Sequence, residues 1–228
     1  MPAFQVIAHR GASVAERENT IAAFRAAATM GAHAVELDVR RTADGAMAVH
    51  HDDHLGDGRL LCEMPSAHLP DHIPLLAEAL DACEGMWVNI EIKNHPRDPD
   101  HDPQETMAAA VAGLLDARDE DHRWVVSSFS RNTIDALRAV RPGVRTAHLV
   151  VSVADDRADD YARALAADGH FACHPWVETL TESFVSTCHR HGLQVNPWTC
   201  DDPARMAEIS AWGVDGIVTN VPDVALRV

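Results

Sequence analysis

The sequence predicts a (β/α)₈ barrel, a closed parallel sheet wrapped in helices. Three observations point to it. Short apolar or β-branched runs alternate with helical patterns along the chain, which is the βα repetition of a parallel sheet. Runs such as Val125–Phe129 are near-continuously apolar, as expected of strands covered on both faces. A length of 228 residues with 46% hydrophobic content supplies one sizeable core and suits a single domain over residues 1–228.

The elements follow in order. Phe4–Ala8 is an apolar first strand, and Thr20–Met30 carries a helical pattern. Ala34–Val39 and Ala46–His50 are strand-like but are joined only by Arg40-Arg41-Thr42-Ala43-Asp44-Gly45, too short for a crossover helix. One of the two therefore departs from the repeat, because nine strand candidates compete for eight places. Helix Leu75–Cys83 leads to strand Trp87–Ile92. The Pro/Asp-rich stretch from Asn94 to Glu105 reads as a loop, since helix Thr106–Ala117 resumes the repeat directly after it. Strand Trp124–Ser128, helix Asn132–Val140, strand Thr146–Val151, helix Asp156–Ala167 and strand Phe171–His174 continue it. Helix Thr181–His191, strand Gln194–Trp198, helix Pro203–Trp212 and strand Gly216–Thr219 complete it.

The formal net charge is −16, which argues against a nucleic-acid binder built on clustered Lys and Arg and disfavours a polybasic membrane anchor. No segment reaches the ~18 apolar residues of a membrane span, and no signal peptide precedes Phe4. The five cysteines (Cys62, Cys83, Cys173, Cys188 and Cys200) form no C-x-x-C pair, so neither a disulfide framework nor a zinc knuckle is expected. Together these features point to a cytoplasmic protein. Lys93 is the single lysine among 19 basic residues, and so invites a reason.

In barrels of this kind the chemistry stands at the C-terminal ends of the strands. His9 and Arg10 follow the first strand. Along Ala34–Val39 the side chains alternate: Val35, Leu37 and Val39 share one face, Glu36 and Asp38 the other. Trp87–Ile92 repeats the pattern, with Val88, Ile90 and Ile92 opposite Asn89, Glu91 and Lys93. The apolar faces then meet the helices and the polar faces line the barrel mouth. Glu36, Asp38 and Glu91 would converge where an unpaired carboxylate costs several kcal/mol, roughly. A hard divalent cation resolves that cost, and an all-oxygen donor set favours Mg²⁺ or Ca²⁺ over zinc. Arg10 and Lys93 beside such a cation make a phosphate site. His9 and His51 are of the type that supplies acid and base near neutral pH. His50 has the opposite parity to His51. Ten other histidines, His33, His54, His72 and His170 among them, read as solvated or helix-face residues.

These motifs stand in a recognisable order. His9-Arg10-Gly11 comes first, then Glu18-Asn19-Thr20, Glu36–Gly45, His50-His51-Asp52 and Ile73–Leu80. Ile90–Lys93, Asn196–Thr199 and Gly213–Asn220 follow. As a set the sequence resembles the bacterial glycerophosphodiester phosphodiesterases, barrels of the phospholipase-C-like type. The resemblance implies hydrolysis of a small-molecule glycerophosphodiester to sn-glycerol 3-phosphate and an alcohol. It implies His9 and His51 as the acid–base pair and Glu36, Asp38 and Glu91 as ligands of one divalent cation, Mg²⁺ or Ca²⁺. Arg10 and Lys93 would contact phosphate, Trp198 would line the glycerol side, and Glu18 with Asn19 would brace the first loop. The sequence departs from the family pattern at Arg17, Cys200, Asp201 and Asn220. It also departs in the segment after His51, which is short and carries Gly56 and Gly58.

Two rivals share these residues. One is a related phospholipase of the phosphoinositide or sphingomyelinase-D type. The other is a barrel that binds phosphate esters without turnover. Assays of glycerophosphocholine beside phosphatidylinositol and lysophospholipid separate the first, and metal-restored release of glycerol 3-phosphate separates the second.

Overall fold

The computed structural model describes residues 3–228. Nine strands form one sheet: β1 (Gln5–His9), β2 (Ala34–Arg41), β3 (Met47–Val49), β4 (Trp87–Ile92), β5 (Trp124–Ser128), β6 (Arg145–Val150), β7 (Ala172–Pro175), β8 (Gln194–Val195) and β9 (Gly216–Thr219). Eight of them run parallel in the order β8-β7-β6-β5-β4-β2-β1-β9. Backbone bonds from Asp215 N–H to the Val195 carbonyl (3.0 Å) and from Val218 N–H to the Pro197 carbonyl (2.9 Å) bring β9 back to the β8 end and close the barrel. The (β/α)₈ class predicted from the sequence is therefore the fold.

The odd strand is β3. It pairs antiparallel with β2, Val39 opposite Val49, so β2–β3 is a hairpin hung on the barrel rather than a βα unit. β8 is shorter than its apolar run because Pro197 offers no N–H to a ladder.

The helices are α1 (Ile21–Met30), α2 (Leu76–Ala82), α3 (Thr106–Arg118), α4 (Arg131–Val140), α5 (Ala158–Ala167), α6 (Glu182–Arg190), α7 (Pro203–Ala211) and α8 (Pro222–Ala225). Their starts have local causes. Thr20, Ser130 and Thr181 each cap a helix by accepting a backbone N–H of its first turn, and Asp202 does so ahead of Pro203 in α7. α8 is a single turn with too little length to register as a periodic pattern.

The outward strand residues Val35, Leu37, Val39, Val88, Ile90 and Ile92 pack with Phe24, Leu76, Leu80, Val111 and Leu115 of the helices. On the other half, Val6, Cys173, Val195 and Ile217 meet Leu165, Phe184, Val185 and Ile209. The segment after His51 has buried residues of its own. Leu55, Leu61, Met64 and Ile73 bury together under Ala48 and give it a small core of its own. No helix is long and apolar enough to cross a membrane among the described residues.

Candidate active site

Strand register sets the site. Asp38 on β2 stands beside Glu91 on β4, and His9 on β1 beside Glu36. All four project inward because each lies one residue from an outward core residue. Directly after β1 the chain turns: Arg10 takes a positive φ of 56° and donates its backbone N–H to Glu36 Oε2 at 3.0 Å. Gly11 follows at φ 83°. A Cβ there would come within 2.7 Å of the Ala23 backbone, so only glycine lets the strand end lie this close to α1.

Oxygens of Glu36, Asp38 and Glu91 all lie within 4.8 Å of one another, and the three residues are buried. Two cations face them. Lys93 Nζ is 2.9 Å from Asp38 Oδ1 and 2.5 Å from Glu91 Oε1, and Arg10 Nε is 3.2 Å from Asp38 Oδ2. The lone lysine thus has a structural partner set, two carboxylates on neighbouring strands. Burial, then Asp38 and Glu91, push the Glu36 carboxyl well above the usual carboxylate range. Burial raises Glu91 as well, against the pull of Lys93. Asp38 goes the other way: burial opposes ionisation, but Lys93 and Arg10 outweigh it and hold the carboxyl low. Lys93 stays protonated despite its burial because Asp38 and Glu91 flank it.

The donor set fits a hard divalent cation. Glu36 Oε1 is buried and has no hydrogen-bond partner. The spread of the three carboxylates matches ligands around one ion at metal–oxygen distances of about 2.4 Å.

Asn19 is tied in more closely than a loop brace. At φ 56° it donates to Asp38 Oδ2 (2.8 Å) and accepts the Asp38 N–H (3.3 Å), so it fixes one of the three carboxylates. Glu18 takes both its bonds from Arg10, at 3.0 Å each.

The histidines approach from two sides. His9 Nε2 is 3.9 Å from Glu36 Oε2, and its Nδ1 is 2.7 Å from Asn220 Oδ1. Burial, followed by Arg10, lowers its pKa, which keeps the ring neutral. His51 lies beyond the end of β3, pairs Nδ1 with Asp52 at 2.8 Å, and lines the same cavity as His9. His50 lines a separate cavity with Arg17, Glu18 and His72. The loop carrying His51 is held by Arg40, whose Nε donates to the His51 carbonyl at 2.7 Å. Its guanidinium also grips both oxygens of Asp100 at 2.8 Å. Both partners are almost sealed from water, at 6% and 1% side-chain exposure. Arg40→Ala should therefore cost roughly 3–5 kcal/mol, because it strands a buried carboxylate. Chemical denaturation measures this, and a loss below about 1 kcal/mol would mean that solvent already reaches Asp100.

The cavity is about 250 Å³ and is lined by the polar His9, Arg10, Glu36, His51, Glu91 and Lys93 and by the apolar Phe129, Leu149, Trp198 and Val218. Trp198 donates its Nε1–H to the His174 carbonyl at 2.9 Å and meets Phe129 edge-on at 5.4 Å. All eight residues singled out in the sequence thus border this one space or, for Asp38, lie directly beneath it. Sequence reasoning passed over Phe129 and His174, although both stand at strand ends, where the same test would have found them. It also placed His170 among solvated histidines. That ring is instead buried between Thr146 Oγ1 and Asp135 Oδ1, each 2.8 Å away. A larger cavity of about 550 Å³ opens at the opposite end of the barrel, around Gln5, Trp87 and Arg145, away from the carboxylates.

A parallel barrel with a carboxylate triad, two cations and two histidines at its strand C-termini defines a class: barrels equipped for phosphate-ester chemistry. Within it, the chain belongs to the glycerophosphoryl diester phosphodiesterase family, whose model matches residues 9–61 and 59–224. It is 27% identical over 246 residues to the glycerophosphodiester phosphodiesterase of Caldanaerobacter subterraneus subsp. tengcongensis, covering 97% of this chain and 96% of that protein. A phosphodiesterase of Oleispira antarctica, solved in complex with the product sn-glycerol-3-phosphate, superposes with a TM-score of 0.88 at 25% identity, covering 98% of this chain and 95% of that one. The glycerophosphodiester phosphodiesterase of Thermotoga maritima shares the fold, with a TM-score of 0.81 at 23% identity over 98% and 97% of the two chains.

Proposed function

We propose that this protein hydrolyses glycerophosphodiesters to sn-glycerol 3-phosphate and an alcohol. It does so with one divalent cation, Mg²⁺ or Ca²⁺, and with His9 and His51 as the acid–base pair. The observation that carries this reading is the convergence of Glu36, Asp38 and Glu91 with both histidines on one cavity. The relative from Oleispira antarctica, with its bound product, supports the glycerol 3-phosphate half of it.

Glu36, Asp38 and Glu91 hold the cation. When bound it supplies charge stabilisation for the phosphoryl oxygens. Arg10 and Lys93 add fixed positive charge beside the diester, positioned in advance by Glu18, Asp38 and Glu91. The glycerol carbons lie against Trp198 and Phe129, and the small cavity excludes bulk water from that side. His9, buried and neutral, takes the proton of the glycerol 2-hydroxyl. The freed oxygen attacks phosphorus, the bond to the leaving alcohol breaks, and His51, nearer solvent, protonates the departing alkoxide. Water then opens the cyclic phosphate with the two roles reversed.

The test is release of glycerol 3-phosphate from glycerophosphocholine by chelator-treated protein, before and after Mg²⁺ or Ca²⁺ is restored. Turnover should be lost and regained, with cyclic glycerophosphate trapped early. Activity that survives complete metal removal overturns the cation's part. Full activity on a diester lacking the 2-hydroxyl overturns the cyclic route.

A further inference from the structure

Asn220 and Asp201 lie outside the metal and phosphate cluster, yet they reach His9 through an unbroken chain of hydrogen bonds. Asn220 immediately follows β9, and Asp201 lies in the loop after β8. Asp201 accepts three hydrogen bonds: from the Thr219 hydroxyl at Oδ1 (2.9 Å), from the Asn220 backbone N–H at Oδ1 (2.8 Å), and from Asn220 Nδ2 at Oδ2 (2.7 Å). An ionised carboxylate can only accept, so it must face the NH₂ end of the Asn220 amide. That fixes an orientation that would otherwise be ambiguous. The amide oxygen is left pointing at the site, where it meets the Ser13 hydroxyl (3.0 Å) and His9 Nδ1 (2.7 Å).

An amide oxygen also only accepts, so His9 must carry its proton on Nδ1. Its lone pair is then on Nε2, the nitrogen on the cavity side that approaches Glu36. A reversed amide would present N–H to Nδ1, move the ring proton to Nε2 and leave no base facing the substrate. We infer that Asp201 and Asn220 are a positioning pair, in which the Asp201 carboxylate sets the direction of the Asn220 amide and thereby the tautomer of His9. The inference rests on the proposed role of His9 as a base and adds the device that keeps it in the reactive form.

The reciprocal exchange tests it. Asp201→Asn keeps its amide oxygen on the Thr219 hydroxyl and the Asn220 backbone N–H and turns its NH₂ toward Asn220, so the Asn220 amide reverses and the His9 proton shifts toward Nε2. Turnover of glycerophosphocholine should fall on the order of 10–100-fold, the scale seen when a histidine's orienting hydrogen bond is lost, with KM changed by less than about threefold. Asn220→Asp sets two carboxylates against each other and should also lose turnover. In the double variant, Asp201→Asn with Asn220→Asp, the new carboxylate at position 220 accepts from His9 and Ser13. The new amide at position 201 donates to it and still accepts from Thr219. Turnover should return to within a fewfold of the wild type. Nitrogen-15 NMR of the imidazoles reads the tautomer directly. His9 should be protonated at Nδ1 in the wild type and in the double variant, and shifted toward Nε2 protonation in Asp201→Asn. Circular dichroism and melting curves identify any variant that fails to fold, in which case the wild-type tautomer alone decides. Protonation of wild-type His9 at Nε2, an unchanged kcat and tautomer in Asp201→Asn, or a double variant no better than the singles overturns the inference. If the wild type cleaves no glycerophosphodiester, the functional reading fails by itself while the NMR arm still decides the orientation.

Discussion

Replacing His9 or His51 by Ala should lower turnover roughly 10²–10⁴-fold each, the usual contribution of a positioned general acid or base. The two rings line one cavity, His9 the more buried beside Glu36 and His51 the more exposed beside Asp52. If they act on the same phosphoryl group, losing one leaves the other little to do. The double variant should then lose far less than the product of the single losses. His50→Ala is the internal control. Its ring lines a different cavity and is held by a marginal 3.4 Å hydrogen bond to the His54 carbonyl, so turnover should stay within a fewfold of the wild type. Steady-state kinetics of the four variants on glycerophosphocholine decide the matter. An essential His50 with a dispensable His51 would reverse the assignment.

Glu36→Gln should separate catalysis from stability. The substitution keeps an oxygen for the Arg10 N–H but removes one of three carboxylate charges crowded within 4.8 Å. Cation affinity should fall. Turnover should drop on the order of 10³-fold if charge stabilisation by the cation is worth several kcal/mol, and excess metal should restore part of it. Stability of the metal-free protein should hold or rise. Burial and the neighbouring Asp38 and Glu91 already push the Glu36 carboxyl well above the usual carboxylate range, against the pull of Arg10 and Lys93, so the substitution removes a charge this position tolerates poorly. Calorimetric titration with Mg²⁺ and Ca²⁺, beside thermal melts in chelator, reads both effects. Unchanged cation affinity would remove Glu36 from the ligand set. A metal-free variant that melts well below the wild type would mean that the charge is compensated by more than the contacts described above.

The faces of the strands were legible from local pattern. Alternation along β2 and β4 assigns Val35, Leu37, Ile90 and Ile92 to the helices and Glu36, Asp38 and Glu91 to the interior, because successive side chains of a strand must point to opposite sides. The same logic, applied at strand ends, separates His9 and Arg10 from the core run before them. His51 reaches the cavity as expected, but the parity argument behind that expectation does not apply, since β3 stops at Val49 and both histidines lie in the following loop.

What the sequence by itself determined is the periodicity of each element, and hence which residues turn inward and which chemistry is available at the barrel mouth. These follow from covalent geometry repeated every two residues, and need no knowledge of neighbours. Only the tertiary structure decided who meets whom. It made β3 a hairpin partner of β2, bound Arg40 to Asp100 across 60 positions, closed the pocket with Phe129 and Trp198, and set Asn220 against His9 across 211 positions. Such pairings depend on the register of eight strands and on closure of the sheet between β8 and β9. No local pattern carries that information, because hydrogen bonds between distant residues become possible only once the whole ring of strands is in place.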